Sequence, residues 1–352
     1  MHILVTEINS MIALRFGRIV KIDLNGSLLQ KGPRVFPYLI SIFNLFLRLS
    51  RRVVYSVKRL EDTKYILSCG TGLYLLDTAS LSLKKILTPK DFKKCLNIGI
   101  VSIHGTQYIL YSHYEANLAL NSVNLYAAPY SDLDNYQLIY SFENGMINHI
   151  HSYYQFQNKI LLNIGDNCDL VGIWELDMIS KEIQPILSGS QEYRAVFCFS
   201  IKDNFFIATD SPSGTNYIKK LQRTNNQYSL ENIHRLEGPV IYGFETDNYV
   251  FFSTSAEPSR PLKWRAWLPL LDLKSNAILY KFSKQSEQLS ILSIGKKDFF
   301  SPYLFGFGSF QFPELSGVNP EERLVVNKVA LLSPVSSTLI SSRFSSYDIY
   351  EL

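Results

Sequence analysis

Residues 159–177 read KILLNIGDNCDLVGIWELD, in which an apolar run ends at Gly165-Asp166 and a polar loop leads to a second apolar run. Isoleucine, leucine and tryptophan in runs of this length favour buried β-strands, and Asn and Asp favour the turns between strands. This stretch therefore predicts two neighbouring strands joined by a polar loop.

Similar apolar runs recur along the chain. They start at residues 65, 108, 159, 205 and 249, which are 43, 51, 46 and 44 residues apart, and a sixth candidate starts at 303. Most runs are followed by a second strand and a hairpin turn. Such a unit, repeated every 43–51 residues, is typical of the four-stranded blades of a β-propeller. The sequence predicts an all-β fold, with a single propeller domain of six or seven blades over residues 1–352.

Two N-terminal segments need separate interpretations. Residues 11–30 contain Asn25-Gly26, a strong hairpin signal, and predict two strands that either begin a blade or close the ring. Residues 36–52 place apolar side chains near helical spacing, followed by arginines, and predict an amphipathic helical insertion. The helix would lie on a membrane surface or a partner protein, or pack on the domain itself with its basic end complementing the helix dipole.

The composition restricts the class of protein. The chain has 352 residues, is 46% hydrophobic and only 19% charged, and can therefore bury a large core. A net charge of +4 without a basic stripe gives no sign of a nucleic-acid partner. Four cysteines without a CxxC pair fit a reduced compartment, and neither a signal peptide nor a run of 18 apolar residues is recognisable. The predicted location is cytoplasmic, with a peripheral position at the inner membrane face if residues 36–52 dock there.

Histidines stand beside two of the apolar runs. His149 and His151 are two residues apart and would face the same side of a strand. Together with a carboxylate such as Asp166 they could coordinate a divalent metal, for which Zn and Mn are candidates. The alternative is a pair of channel histidines hydrogen-bonded to neighbouring blades. His113, which follows another run, is a candidate substrate contact.

Acidic residues follow three of the runs. Asp166 and Asp210 each end an apolar strand and could divide the roles of general acid and base, as in glycoside hydrolysis. The alternative is that each caps a turn through its side chain. Glu257 holds the equivalent place one blade later and is a further candidate acid.

The segment before Asp210 supplies candidates for substrate binding. Arg194 would suit a carboxylate or phosphate on a substrate, and Tyr193 could donate a hydrogen bond or stack on a sugar ring. Gln191 belongs to the same polar cluster. The alternative is an ion pair between Arg194 and a glutamate of a neighbouring blade.

At these residues the chain resembles the sialidase-like β-propeller proteins associated with bacterial surface-polysaccharide genes, often described as BNR-repeat or glycosyl-hydrolase-like. The resemblance covers roughly residues 140–260 and rests on His149-Ile150-His151, Gly165-Asp166, Gly189-x-Gln191-x-Tyr193-Arg194-Ala195-Val196, Thr209-Asp210-Ser211, Gly238-Pro239 and Glu257. It implies a propeller and a carbohydrate setting. The SxDxGxTW turns and the N-terminal arginine motif of sialidases are absent from the sequence.

Two functions are predicted from these features. The first is a glycoside hydrolase-like enzyme of bacterial polysaccharide metabolism that binds an acidic glycan in the central pocket. Its catalytic residues would come from Asp166, Asp210, Glu257, His149 and His151, and its substrate contacts from Gln191, Tyr193, Arg194 and His113. The second is a non-catalytic propeller that binds glycan or scaffolds a membrane-associated synthesis complex. Fold alone does not separate the two.

Overall fold

The computed structural model describes residues 1–37, 53–90, 92, 94–114, 117–166, 169–211, 214–225, 227–257, 276–298, 306–316, 322–332 and 345–351. These residues form seven sheets that follow one another along the chain, and all their strand pairs but one are antiparallel. The innermost strands of successive sheets contact each other, and the sheets form the blades of a propeller. The prediction of six or seven blades is confirmed, with seven.

The strands run in order from the innermost to the outermost position of each blade. Blades 1 and 2 contain β1 (His2–Glu7), β2 (Ser10–Arg15), β3 (Arg18–Asp23), β4 (Leu28–Arg34), β5 (Val54–Arg59), β6 (Lys64–Cys69), β7 (Gly72–Asp77) and β8 (Ser82–Lys85). Blades 3 and 4 contain β9 (Gly99–Ile103), β10 (Thr106–Ser112), β11 (Val123–Pro129), β12 (Gln137–Phe142), β13 (His149–Phe156), β14 (Lys159–Gly165), β15 (Gly172–Asp177) and β16 (Glu182–Ser188). Blades 5 and 6 contain β17 (Ala195–Ile201), β18 (Asn204–Thr209), β19 (Asn216–Thr224), β20 (Gln227–Leu236), β21 (Val240–Glu245), β22 (Tyr249–Thr254), β23 (Asn276–Ser283) and β24 (Leu289–Lys296). Blade 7 contains β25 (Ser309–Gln311), β27 (Arg323–Val329) and β28 (Ser345–Glu351), while β26 (Glu314–Ser316) joins blade 1.

The apolar runs that start at residues 65, 108, 159, 205 and 249 are the second strands of their blades, whereas the described part of the sixth candidate overlaps β25, the innermost strand of blade 7. In β14, for example, every residue from Ile160 to Gly165 is buried. A second strand lies between the faces of the two neighbouring blades, and both of its sides are covered. Its sequence is therefore a continuous apolar run rather than an alternating one. Clusters of buried side chains fill the spaces between neighbouring blades, as between blades 3 and 4, where Leu110, Ile150 and Leu162 pack together.

The ring closes between the two ends of the chain. β26 pairs in parallel with β1. The amide of Asn327 in β27 accepts from the backbone N–H of Ile3 at 2.7 Å and donates to its carbonyl at 2.8 Å. The prediction that the N-terminal strands begin a blade is confirmed. Asn25-Gly26 joins β3 to β4, but a further turn at Phe16-Gly17 makes residues 11–30 part of three strands rather than two.

The helix predicted over residues 36–52 is not supported. Residues 38–52 lie outside the described residues, and Phe36 is a buried residue in the bend that follows β4. The part of the chain that the structure describes contains no α-helix and one 3-10 helix, at Gln191–Tyr193. Within those ranges no helix is long and apolar enough to cross a membrane.

The innermost strands begin at one face of the propeller, here called the site face. Because neighbouring strands are antiparallel, the second strands end at the same face. The innermost strands surround a central cavity of about 340 Å³, whose lining includes Tyr55, Tyr153, Phe197, Tyr242 and Gln311.

Replacing Asn327 with leucine would test the closure of the ring. The variant leaves the buried N–H and carbonyl of Ile3 without partners, and we expect the free energy of unfolding to fall by about 2–5 kcal/mol. Asn232→Ala, at an exposed position of β20, is the control and should change stability by less than about 0.5 kcal/mol. Chemical denaturation measures both. Equal stability of Asn327→Leu and the wild type would contradict this account of closure.

Candidate functional site

Two histidines and one aspartate meet at the site face of blade 4. β13 begins where β14 ends, and His149 is paired with Gly165. The Nε2 atoms of His149 and His151 lie 3.0 and 3.2 Å from the two carboxylate oxygens of Asp166, and 3.1 Å from each other. Both histidine side chains are buried, whereas Asp166 is 26% exposed. The prediction that His149 and His151 face the same side is confirmed by this contact.

Gly165 and Asp166 have local conformations that this arrangement requires. A Cβ atom on Gly165 would lie 1.9–2.5 Å from the imidazole ring of His151, so the ring fits only against glycine. Asp166 has φ of +56°, a left-handed conformation that aspartate tolerates better than most residues. Such strain is frequent at functional sites. Here it aims the carboxylate back at the two histidines.

Hydrogen bonds assign the ring protons of the two histidines. Nδ1 of His151 lies 3.1 Å from the carbonyl oxygen of Ala195, which can only accept, so Nδ1 carries a proton. Burial lowers the pKa of His151, and the ring is therefore neutral, with a bare lone pair on Nε2. Nδ1 of His149 is buried and has no partner among the described residues, which places its proton on Nε2, toward Asp166. The contact between His151 Nε2 and Asp166 Oδ1 then joins two acceptors.

Arg194 connects Asp166 to a second aspartate in blade 5. Its Nη2 atom lies 2.7 Å from Asp166 Oδ1 and 3.0 Å from Asp210 Oδ2, and its Nε donates to the same Asp210 oxygen at 3.1 Å. The Gln191 side chain donates to the backbone carbonyl of Asp166 at 2.5 Å. The alternative prediction of an Arg194–glutamate ion pair is thus replaced by an ion pair with two aspartates. Glu257 lies within electrostatic range of the guanidinium.

The carboxyl groups differ in protonation. Burial alone would raise the pKa of Asp166, but the contacts with the two histidines, of which the hydrogen bond from His149 is the strongest, outweigh it and hold that pKa well below its usual range. Burial raises the pKa of Asp210 to about 7, against the lowering effect of Arg194. Burial also raises the pKa of Glu257, although Ser255 donates a hydrogen bond to it. An ionised Asp166 therefore stands beside two carboxyl groups, Asp210 and Glu257, whose pKa values are raised by burial.

Tyr114 joins the site from blade 3 and was not predicted from the sequence. Its ring packs edge-on against the His149 ring, with 4.4 Å between centroids. Burial raises the pKa of its hydroxyl, and the charges of Asp166 and Asp210 raise it further. The only signal in the sequence is its place two residues after the end of β10. Nothing in the type or spacing of the residue distinguishes it from the 22 tyrosines of the chain.

Two predicted site residues lie apart from this cluster. His113 packs edge-on against Phe92, with 6.1 Å between centroids. Tyr193 is half-buried on the 3-10 helix, and within the described ranges its side chain makes no hydrogen bond to the cluster. The central cavity is also separate, because its lining contains the neighbouring Ser152 and Val196 but none of His149, Asp166 or Arg194. The prediction that these residues line the central pocket is therefore wrong, since they lie at the rim.

No protein-family model and no curated protein matches the sequence. In fold, the chain is similar to the tricorn protease (TM-score 0.50, 11% identity, 89% of this chain and 33% of that chain). It is also similar to the AfRom2 CNH domain (TM-score 0.51, 8% identity, 91% of this chain and 87% of that chain). An ancestral GH74 enzyme gives a lower TM-score of 0.47, at 10% identity over 81% of this chain and 37% of its own. The chain spans about a third of the tricorn protease. These similarities show the propeller fold alone, and the sialidase-like family is not shown.

Gly165→Ala would test the close packing of His151. The added methyl group must displace the imidazole, and we expect a loss of about 1–3 kcal/mol in the free energy of unfolding, as for other overpacked sites. Gly238→Ala is the matched control, since its Cβ would meet its nearest atom at an ordinary 3.4 Å. Chemical denaturation compares them. An equal effect of the two substitutions would contradict the packing described.

Asp210→Asn would test the protonation of the buried carboxyl. The folded pKa of about 7 lies above the value of about 3.9 in an unfolded chain, so the folded state binds more protons between these values. The stability that Asp210 contributes is therefore fully present below pH 4 and is lost as pH rises through 7. Asparagine does not titrate, so the wild type should lose stability relative to Asp210→Asn over this interval. Urea unfolding at several pH values, with a chelator present, measures the difference. Parallel profiles would disprove the assignment.

Proposed function

We propose that the protein is a divalent-cation-dependent enzyme that cleaves an acidic glycan by acid–base catalysis at the site face. His149, His151 and Asp166 would hold the cation, and Asp210 and Glu257 would exchange protons with the substrate. This is the enzymatic function predicted from the sequence, but its site lies at the rim and not in the central pocket. A bound cation, one of the alternatives that the sequence left open, is required for the reaction.

The observation that carries the proposal is the triangle of donor atoms. The two Nε2 atoms and the Asp166 carboxylate lie 3.0–3.2 Å apart. Ligands at about 2.1 Å from a transition-metal ion, at right angles to each other, are about 3.0 Å apart. The same three residues form the one group of metal-ligating side chains found within the described ranges. Two imidazoles and one carboxylate favour Zn, Mn, Fe or Co over Ca or Mg.

The proton assignments support a cation over a purely hydrogen-bonded cluster. The proton on Nδ1 of His151 is held by the Ala195 carbonyl, the usual outer contact of a metal-ligating histidine. Without a cation, the bare Nε2 of His151 faces a carboxylate oxygen of Asp166 at 3.2 Å, which is repulsive. A cation between these two acceptors would turn the repulsion into two coordinate bonds. Arg194 would then hold Asp166 in its orientation from the outside.

The other carboxyl groups support the acid–base role. A general acid must be protonated at the working pH and must be able to release its proton, which favours a pKa near neutrality. Asp210, with its pKa raised to about 7 by burial, meets this condition. Glu257, whose pKa is raised by burial, is the second candidate. Both lie at the same face as the cation triad.

The cation, and not Arg194, would bind the carboxylate of an acidic sugar. Arg194 is already paired with Asp166 and Asp210, so it is not available to hold a substrate carboxylate. Three protein ligands leave coordination positions open on a cation, and a uronic acid carboxylate would suit one of them. The proposed substrate is therefore still an acidic glycan, but its negative charge is recognised by the cation and not by Arg194.

A non-catalytic, glycan-binding propeller is the second candidate. The same internal ion pairs favour it, because Arg194 joins blade 4 to blade 5 and stabilises the fold whether or not a reaction takes place. In that case the cation would bind the glycan without a proton transfer. Asp210→Asn would then leave glycan binding intact, and no turnover would be found.

Metal analysis combined with a turnover assay tests the proposal. The purified protein should contain about one equivalent of a transition metal, and His149→Ala or Asp166→Asn should lose most of it. Release of reducing ends from uronic acid polysaccharides should require that metal and should fall about 10²–10⁴-fold in Asp210→Asn, which keeps the metal. His104→Ala, at an exposed turn, is the matched histidine control and should behave as the wild type. A metal-free protein whose His149→Ala variant has unchanged properties would disprove the proposed site.

A further inference from the structure

The turn between β2 and β3 contains a phenylalanine, Phe16, in a backbone conformation that bulky residues rarely adopt. Phe16 and Gly17 have φ values of +49° and +71°, the pair of left-handed conformations found in tight hairpin turns. Asn-Gly is the preferred sequence for such a turn, because a bulky residue with positive φ is strained. Phe16 is also 51% exposed to solvent. The hairpin therefore holds a bulky apolar ring in a strained conformation and in contact with solvent.

Two arginines flank the exposed ring. The Arg15 guanidinium carbon lies 5.8 Å from the centroid of the Phe16 ring. Arg34, at the end of β4, donates from Nη1 to the carbonyl of Phe16 at 3.1 Å. Both arginines are exposed. An exposed apolar ring thus lies beside two exposed arginines.

A second apolar tip lies on the same face. Leu118, in the loop between β10 and β11, is 94% exposed. Phe16 and Leu118 occupy corresponding places, since each lies in the link from the second to the third strand of its blade. Second strands end at the site face, so both tips project from the face that carries His149 and Asp166.

Two segments whose ends lie at this face are also rich in basic and apolar residues. Residues 38–52, which connect blade 1 to blade 2, contain three arginines and no acidic residue. Residues 258–275, between the second and third strands of blade 6, contain four basic residues and a single aspartate, together with two tryptophans. Both segments lie outside the described residues.

We infer that the site face docks on an anionic lipid surface through Arg15, Phe16, Arg34 and Leu118, which together are called the docking surface. Apolar tips insert into the boundary between headgroups and acyl chains, while basic residues are attracted to anionic headgroups. A polyanion such as a nucleic acid would use the arginines but would give no reason for an exposed Leu118. This surface is independent of the cation triad, and it would place the site face next to the membrane.

Co-sedimentation of the full chain with vesicles tests the inference. Binding should be strong to phosphatidylcholine vesicles with about one-third phosphatidylglycerol, weak to phosphatidylcholine alone, and reduced by salt. Phe16→Asn should weaken it on the order of tenfold, and Arg15→Glu by about fivefold or more. Leu118→Ser should also weaken binding. Because asparagine suits the turn, Phe16→Asn should unfold at the same or a higher temperature than the wild type, which excludes misfolding as the cause.

Ile8→Ser provides the matched control. Ile8 is 60% exposed in the turn between β1 and β2, at the opposite face, and its replacement should leave vesicle binding unchanged. Equal binding to neutral and anionic vesicles, or equal losses in Ile8→Ser and Phe16→Asn, would overturn the inference. If heparin removes the protein from vesicles and Phe16→Asn binds them as the wild type does, the surface recognises polyanions rather than lipid, and the inference is wrong.

Discussion

The carboxylate of Asp166 contacts both histidines and the arginine at the centre of the candidate site. Its oxygens lie 2.7–3.2 Å from the imidazoles of His149 and His151 in its own blade and from the guanidinium of Arg194 in the next. A partly buried ionised carboxylate is costly unless such partners surround it. Its left-handed backbone and the glycine before it make these contacts possible. The backbone conformation at Gly165 and Asp166 therefore allows the contacts that keep the Asp166 carboxylate ionised.

The packing of the blades brings the site residues together, and burial and ion pairs shift the pKa values of their side chains. The start of an innermost strand and the end of a second strand meet at the same face, so residues of blades 3, 4, 5 and 6 converge there. Asp166 is held ionised by its partners, whereas burial raises the pKa of Asp210 to about 7 despite the neighbouring Arg194. Two aspartates with similar sequence contexts thus differ in pKa. Pairs of carboxyls with separated pKa values are the usual basis of acid–base catalysis.

The propeller was predictable from the sequence because its signal is distributed over the whole chain. Second strands buried on both sides give continuous apolar runs, and their spacing follows the size of a blade. His149, His151, Asp166, Arg194 and Asp210 were predictable for a related reason, since polar residues next to such runs must lie at a rim.

Other features of the structure could not be predicted, because they depend on contacts between blades that local sequence patterns do not reveal. Tyr114 reaches His149 from a neighbouring blade, and the closure by Asn327 connects residues at opposite ends of the chain. His113, predicted as a substrate contact, packs against Phe92, because the side on which a residue after a strand projects depends on the loop that follows. The helix predicted over residues 36–52 rested on apolar spacing alone.

In this account, a cation binds beside Asp166 through the Nε2 atoms of His149 and His151. Nitrogen NMR of protein with ¹⁵N-labelled histidine, titrated with Zn²⁺, tests it most directly, since the chain has only six histidines. Before zinc is added, His151 should be neutral, with its proton on Nδ1. One equivalent of zinc should then shift the Nε2 resonances of His149 and His151 alone. If both rings are doubly protonated at neutral pH, or if zinc leaves their resonances unchanged, the cluster is a hydrogen-bonded link between blades and not a cation site.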